Sequence, residues 1–219
     1  KRVLRLRKGK WLKMAAYKTL KAASETEIVE RRSVFLGYAA PADTEEKALK
    51  FLELTRKQNS DATHNVYAYI IRENNISRFS DDGEPRGTAG IPVLDILRKE
   101  EITDAVVVVT RYFGGILLGS GGLVRAYSAS AKKALDMAQI VVCRSYALFE
   151  VACDYSEFQK LSRFFELAGI SIKSVLYTEN VSVTAACIEE SFELTCLKIA
   201  DITSGKCCAN KKSIEFISE

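Results

Sequence analysis

Apolar and polar positions follow two rhythms along this chain, and the places where the rhythm changes mark its elements. Residues 28–31 and 33–40 read as strands. From Asp43 to Asn59, Ala48, Phe51, Leu52 and Thr55 recur on one helical face. Asp43 or Thr44 can cap this helix, and Glu46 stands three residues after Asp43. Asn65–Arg72 (NVYAYIIR) returns to strand character, being rich in β-branched and aromatic residues. Ser80-Asp81-Asp82-Gly83-Glu84-Pro85 is turn chemistry. Pro92–Glu100 begins a helix with proline in the first turn, where its missing N–H costs nothing. Asp104–Thr110 (DAVVVVT) is a short unbroken apolar run, which predicts a central strand covered on both faces. A glycine-rich loop then enters a helix from about Gly122 to Met137, whose apolar face is Leu123, Tyr127, Ala131, Ala134 and Leu135.

Beyond Ile140 a tighter pattern begins. Ser145–Cys153 alternates, with Ala147, Phe149, Val151 and Cys153 on one face. Ser156–Ala168 reads as a helix with a capping box from Ser156 to Gln159, a stripe of Phe158, Leu161, Phe165 and Ala168, and Gly169 as its stop. Strands follow over Ile170–Tyr177 and Val181–Ile188, separated by a Glu179-Asn180 turn. A helix over Glu190–Ala200 and a last strand ending near Ile217 complete the order β-α-β-β-α-β, the split-βαβ or ferredoxin-like plan. The chain is therefore expected to be α+β with two domains, 14–140 and 141–219, and a boundary between Ile140 and Arg144.

Composition narrows the class. The 219 residues are 47% hydrophobic and 27% charged, ordinary for a globular protein. No apolar run approaches the roughly 20 residues of a membrane-spanning helix, so no membrane partner is expected. The six cysteines lack C-x-x-C spacing and only one histidine accompanies them, which predicts no zinc site and no other metal centre. They read as buried or half-buried thiols in a reducing, cytoplasmic setting. The net charge of +4 is concentrated in a leader: Lys1–Lys13 (KRVLRLRKGKWLK) carries seven positive charges, so the remainder nets −3. Met14 reads as a natural start, so residues 1–13 are expected to be either a translated upstream leader or a genuine basic arm, and no functional weight falls on them.

Chemistry concentrates between Ser80 and Tyr127, where eight of the twelve glycines lie. Two motifs stand out, Arg86-Gly87-Thr88-Ala89-Gly90 after the acidic turn, and Arg111-Tyr112-Phe113-Gly114-Gly115 running on to Gly119-Ser120-Gly121-Gly122 and Arg125. A glycine-rich loop that leaves a buried strand and opens a helix converges backbone N–H groups and the helix dipole on one point, which favours phosphate or carboxylate. Arg86, Arg111 and Arg125 offer bidentate guanidiniums, and Tyr112 and Phe113 offer rings on which a base can stack. Tight packing explains the same glycines equally well, and Arg111 can instead pair with Asp81, Asp82 or Glu84. There is no P-loop and no dinucleotide fingerprint. His64 has no recognisable nucleophile beside it and reads as a hydrogen-bonded core or rim histidine. Together with Asp81, Asp82 and Glu84 it is an accessory candidate; those three acids could chelate a divalent cation, but an exposed acidic turn is the commoner arrangement and is the one expected. No catalytic residue and no cofactor is assigned.

These residues carry a resemblance. Ala62-Thr63-His64-Asn65 with Tyr67-Ala68-Tyr69, then Asp81-Asp82-Gly83-Glu84-Pro85 with Gly87-Thr88-Ala89-Gly90 and Pro92, then Thr110–Gly115 and Leu118–Tyr127, strongly resemble the IMPACT family in its bacterial two-domain, YigZ-type branch. The resemblance spans most of residues 24–140, and the last 75 or so residues look like that branch's second domain. It implies a first domain sharing the fold of the second domain of a ribosomal small-subunit protein, the RNase P protein and domain IV of elongation factor G. It implies a ferredoxin-like second domain. Eukaryotic members regulate translation initiation by binding a co-activator of a starvation-sensing kinase, and they carry an additional amino-terminal RWD domain, which is not expected in this chain. Three functions follow as expectations: a translation-linked protein contacting RNA or the ribosome through the Gly/Arg surface, a regulator that binds a protein partner without RNA, and an enzyme acting on a phosphorylated small molecule.

Overall fold

The structure, a computed structural model, describes residues 16–218; the basic leader lies outside them. The chain divides after Val142 into two compact units. The first holds β1 (Ala16–Leu20), β2 (Ser24–Glu30), β3 (Ser33–Pro41), α1 (Glu45–Gln58), β4 (His64–Ile71), β5 (Ile76–Ser80), α2 (Gly90–Lys99), β6 (Ala105–Tyr112) and α3 (Gly119–Ala138). Its sheet runs β2-β3-β6-β4-β5, and every neighbouring pair is antiparallel.

The apolar run of β6 sits at the centre of this sheet because it has two faces to bury. Ala105, Val107 and Val109 join Phe35, Leu94, Leu97, Leu123, Tyr127, Ala131 and Leu135 beneath α2 and α3. Val106 and Val108 join Tyr38, Ala48, Leu52, Tyr69 and Ile71 beneath α1. Alternation at period two thus feeds two cores from one strand. The helix faces expected from the sequence are the buried ones: Ala48, Leu52 and Thr55 on α1, and Leu123, Tyr127, Ala131, Ala134 and Leu135 on α3. Thr44 caps α1, accepting from the Lys47 N–H at 3.3 Å. Two strands carry no sequence signal strong enough to find them. β1 (AYKTL) is anchored instead by Thr103 N–H to the Lys18 carbonyl at 2.9 Å, and β5 (ISRFS) is a half-polar edge strand on β4.

The second unit contains β7 (Ile140–Cys153, opening just before the division), α4 (Tyr155–Leu167), β8 (Ser171–Tyr177), β9 (Val181–Ile188), α5 (Phe192–Ile202) and β10 (Ala209–Ser218). β7 lies between β10 and β9, with β8 beyond β9, all antiparallel, which is the ferredoxin-like arrangement. Phe149, Leu161, Phe165, Val181, Val183 and Ile199 form its core. Two expectations need correction. Asp154, not Ser156, caps α4: its carboxylate accepts from the Glu157 N–H at 2.7 Å, and the Ser156 hydroxyl donates to that carboxylate instead. A carboxylate is the stronger acceptor at a helix N-terminus. Ala168, expected on the apolar stripe, is an exposed C-cap. The six cysteines are unbridged, four of them buried, and burial pushes the Cys153 thiol up to about 11. No helix among the described residues is long and apolar enough to cross a membrane.

Candidate functional site

The acidic turn after β5 is not an exposed loop but the organising centre of the first unit. Asp81 spends both oxygens on backbone: Oδ2 accepts from Gly87 N–H at 2.8 Å, and Oδ1 from Ala89 and Gly90 N–H at 3.1 and 2.8 Å. The N-terminus of α2 is thereby capped from within the chain, so the nest at Gly87–Gly90 already holds its anion. Thr88 closes the same turn by donating to the Pro85 carbonyl at 2.6 Å. Asp82 accepts from Arg56 at 2.8 Å and from the Asn65 N–H at 2.7 Å. Glu84 is buried and accepts from Arg111 Nη1 at 2.6 Å and the Tyr127 hydroxyl at 2.7 Å. His64 donates from Nδ1 to the Asp82 carbonyl at 2.8 Å, and its Nε2 faces Glu84 at 3.9 Å. Burial, then the charge of Glu84, drives the Tyr127 hydroxyl far above its ordinary pKa, so it remains a donor.

Arg111 therefore belongs to the interior. It is buried against Glu84, and Nη2 reaches the Ser33 hydroxyl at 3.4 Å. The same hydroxyl accepts from Gly114 N–H at 3.2 Å. Through Ser33, Arg111 ties the start of β3 to the loop that leads into α3. Gly114 is pressed so closely on this start that a Cβ would overlap the carbonyl group of Arg32. This is a steric need for glycine, not a ligand's.

What remains open lies at one end of the unit. β3 tracks α3 along its length: Gly37 packs on Ser130, and Phe35 meets Tyr127 edge-on at 5.2 Å. Two residues earlier in β3, Ser33 and the Arg32 backbone hold Gly114, in the loop that leads into α3. The first turn of α3, Gly119-Ser120-Gly121-Gly122, has no side-chain cap. A Cβ on Gly121 would meet only Arg125 Nη1, at 3.6 Å, so neither packing nor backbone conformation requires glycine at that position. Arg125 is exposed, and among the described residues Arg31, Arg32, Arg86 and Arg125 make no ion pair. Exposed apolar groups flank the same end: Phe113 at 48%, Leu117 at 82%, and Ile116 and Val124.

The residues singled out in the sequence thus separate into groups. Gly115, Gly121, Gly122, Phe113 and Arg125 lie on the open loop and helix start, and Gly114 beneath them. Gly87, Thr88, Asp81, Asp82, Glu84, His64 and Arg111 are occupied with one another or with backbone. Tyr112 points to the opposite face of the sheet, where its hydroxyl lies between two acceptors, Asn59 Oδ1 at 3.2 Å and Asp61 Oδ1 at 3.1 Å. Arg86 is exposed two residues beyond Glu84. Arg31 and Arg32 are additions; an arginine pair alone between two strands is the sequence signal that would have found them.

Residues 31–135 match the Impact N-terminal domain and residues 151–206 match a domain of unknown function (DUF1949). The chain is 38% identical over 213 residues to the IMPACT family member YvyE of Bacillus subtilis, covering 93% of this chain and 98% of that one. The chain belongs to the IMPACT family. A second IMPACT relative, YigZ of Escherichia coli, is 39% identical over 142 residues, 62% of this chain and 69% of its own. Among solved structures, one described as the crystal structure of an hypothetical protein superposes with a TM-score of 0.60 at 28% identity, covering 91% of this chain and 98% of that one.

Proposed function

We propose that this IMPACT family member is a cytoplasmic, translation-linked binding protein whose first domain contacts RNA or the ribosome through the open start of α3. The observation that carries the reading is the uncapped first turn Gly119–Gly122, with a glycine at 121 that nothing in the chain demands and an unpaired Arg125 beside it. Glycine inside a helix costs about 1 kcal/mol relative to alanine. Its use there is accounted for if a bulky anion approaches the bare backbone N–H groups. Phe113 supplies an exposed ring at the same end. The residues outside the leader net −3, so affinity is local and modest rather than a general attraction to polyanions.

The acidic trio supports binding over phosphoryl chemistry. Asp81, Asp82 and Glu84 are each engaged internally, so none of the three is free to hold a metal for phosphoryl transfer. A second reading, a protein partner, is favoured by the exposure of Leu117 and its neighbours, since surfaces combining arginine with large apolar groups are typical of interface cores. Affinity capture from lysate with and without nuclease separates the two. RNA or ribosomal subunits lost on nuclease treatment support the first, and a protein retained through it supports the second. In direct titration Arg125→Ala removes roughly 1.5–3 kcal/mol of RNA binding, the scale of a charged hydrogen bond, and leaves the melting temperature unchanged. If wild type binds no RNA at low or high salt, the proposal fails.

A further inference from the structure

The turn between β2 and β3 contains two residues, Arg31 and Arg32, with Glu30 paired to Ser33 across it. Both arginines have positive φ, 45° and 69°. This is the pattern of the mirror-image two-residue hairpin turn, in which Asn-Gly is the favoured pair. A residue with a Cβ is disfavoured there, because the left-handed conformation drives Cβ towards the next carbonyl. Two arginines in succession therefore work against local stability. The fold takes nothing back from them: both are exposed, neither is ion-paired, and Glu30, the adjacent acid, bonds to neither. Strain of this kind persists where the surrounding structure holds it and a function uses it. The surroundings do hold it. Ser33, fully buried, is clamped by Arg111 and Gly114, and Gly114 rests on the Arg32 backbone.

We propose that Arg31 and Arg32 form a two-pronged phosphate clamp that grips an RNA strand as it passes the start of α3. The inference rests on the reading that this end of the domain binds RNA, and it adds the residues that grip the backbone. The guanidinium forks match phosphate oxygens bidentately. Gly115 and the glycines of α3 leave room for the strand, and Phe113 offers a stacking face next to it. That combination of free guanidiniums, bare backbone and one ring fits RNA better than an acidic peptide, which has no base to stack.

The test uses the full chain, a fluorescein-labelled oligouridylate at several salt concentrations, and thermal melts. The double variant Arg31→Asn/Arg32→Gly installs the favoured turn pair, so its melting temperature rises by a few degrees. Its RNA affinity falls tenfold or more, and the slope of log K against log salt drops by about 1.4, two single-strand phosphate contacts. If the double variant is more stable but binds as wild type does, the clamp is refuted while the α3 reading stands. If Arg125→Ala binds normally and the double variant does not, the clamp stands and the α3 reading falls. A double variant less stable than wild type shows that the arginines serve the fold and overturns the clamp. So does a wild type that binds polyglutamate in place of the oligouridylate.

Discussion

Arg111 distinguishes a structural arginine from a ligand-binding one, and replacing it with methionine makes the distinction measurable. Methionine keeps most of the side-chain volume and removes the charge. The Arg111 and Glu84 side chains are 7% and 3% exposed and meet at 2.6 Å. Without Arg111, Glu84 keeps only the Tyr127 hydroxyl at 2.7 Å, with His64 at 3.9 Å. Breaking a buried pair by removing one partner costs about 3–5 kcal/mol, because the remaining charge is left uncompensated. Losing the bond to Ser33 also loosens the loop that Gly114 holds. Urea unfolding followed by circular dichroism is expected to show that loss, with a melting temperature roughly 10 °C lower. The double variant Arg111→Met/Glu84→Met removes both charges and recovers most of the stability, since apolar replacements of buried pairs are close to neutral. A double-mutant cycle then gives a coupling of at least about 2 kcal/mol. If Arg111→Met unfolds within about 0.5 kcal/mol of wild type yet loses RNA binding, Arg111 is a ligand group and this account of the interior is wrong.

Two glycines of the same loop and helix should respond in opposite ways. Gly121→Ala stabilises by about 0.5–1 kcal/mol and weakens RNA binding, whereas Gly114→Ala collides with the Arg32 backbone and destabilises by about 1–3 kcal/mol; equal effects on urea midpoints would contradict the distinction. The Tyr127 hydroxyl ionises later in the folded chain than its ordinary 10.0, so the unfolded chain loses that proton first. Its stabilising contribution is full below pH 10 and fades above it, and the stability gap between wild type and Tyr127→Phe narrows as pH is raised from about 8 to about 11. A gap that stays constant across that range rules the linkage out.

The strand-and-helix pattern made most of the fold legible, because burial follows periodicity. The unbroken run of β6 had to be covered on both sides, and the α3 face could only be a core face. β5 was hidden because a half-polar edge strand has neither a full alternation nor a continuous run to mark it. The α4 cap is ambiguous in the sequence because Asp154 and Ser156 both qualify, and only the geometry shows that the Glu157 N–H reaches Asp154.

The site shows where sequence reasoning stops and where it could have gone further. Which acid Arg111 would choose depended on how a turn 27 residues earlier folds back over β6, a contact no local pattern specifies. Its separation from Tyr112 was legible all the same. Period two puts consecutive strand residues on opposite faces, so Arg111, in step with Val107 and Val109, faces the α2–α3 core. Tyr112, in step with Val106 and Val108, faces α1. One pocket could not have used both. Beyond the strand that parity ends, because Gly114 bends the chain onto the Arg32 backbone and the loop is free to present Phe113 and the α3 start together. Buried polar residues here set the shape of that end of the domain. Among the described residues, the fold itself makes no demand on Gly121 and engages none of the guanidiniums of Arg31, Arg32, Arg86 and Arg125, which stay exposed.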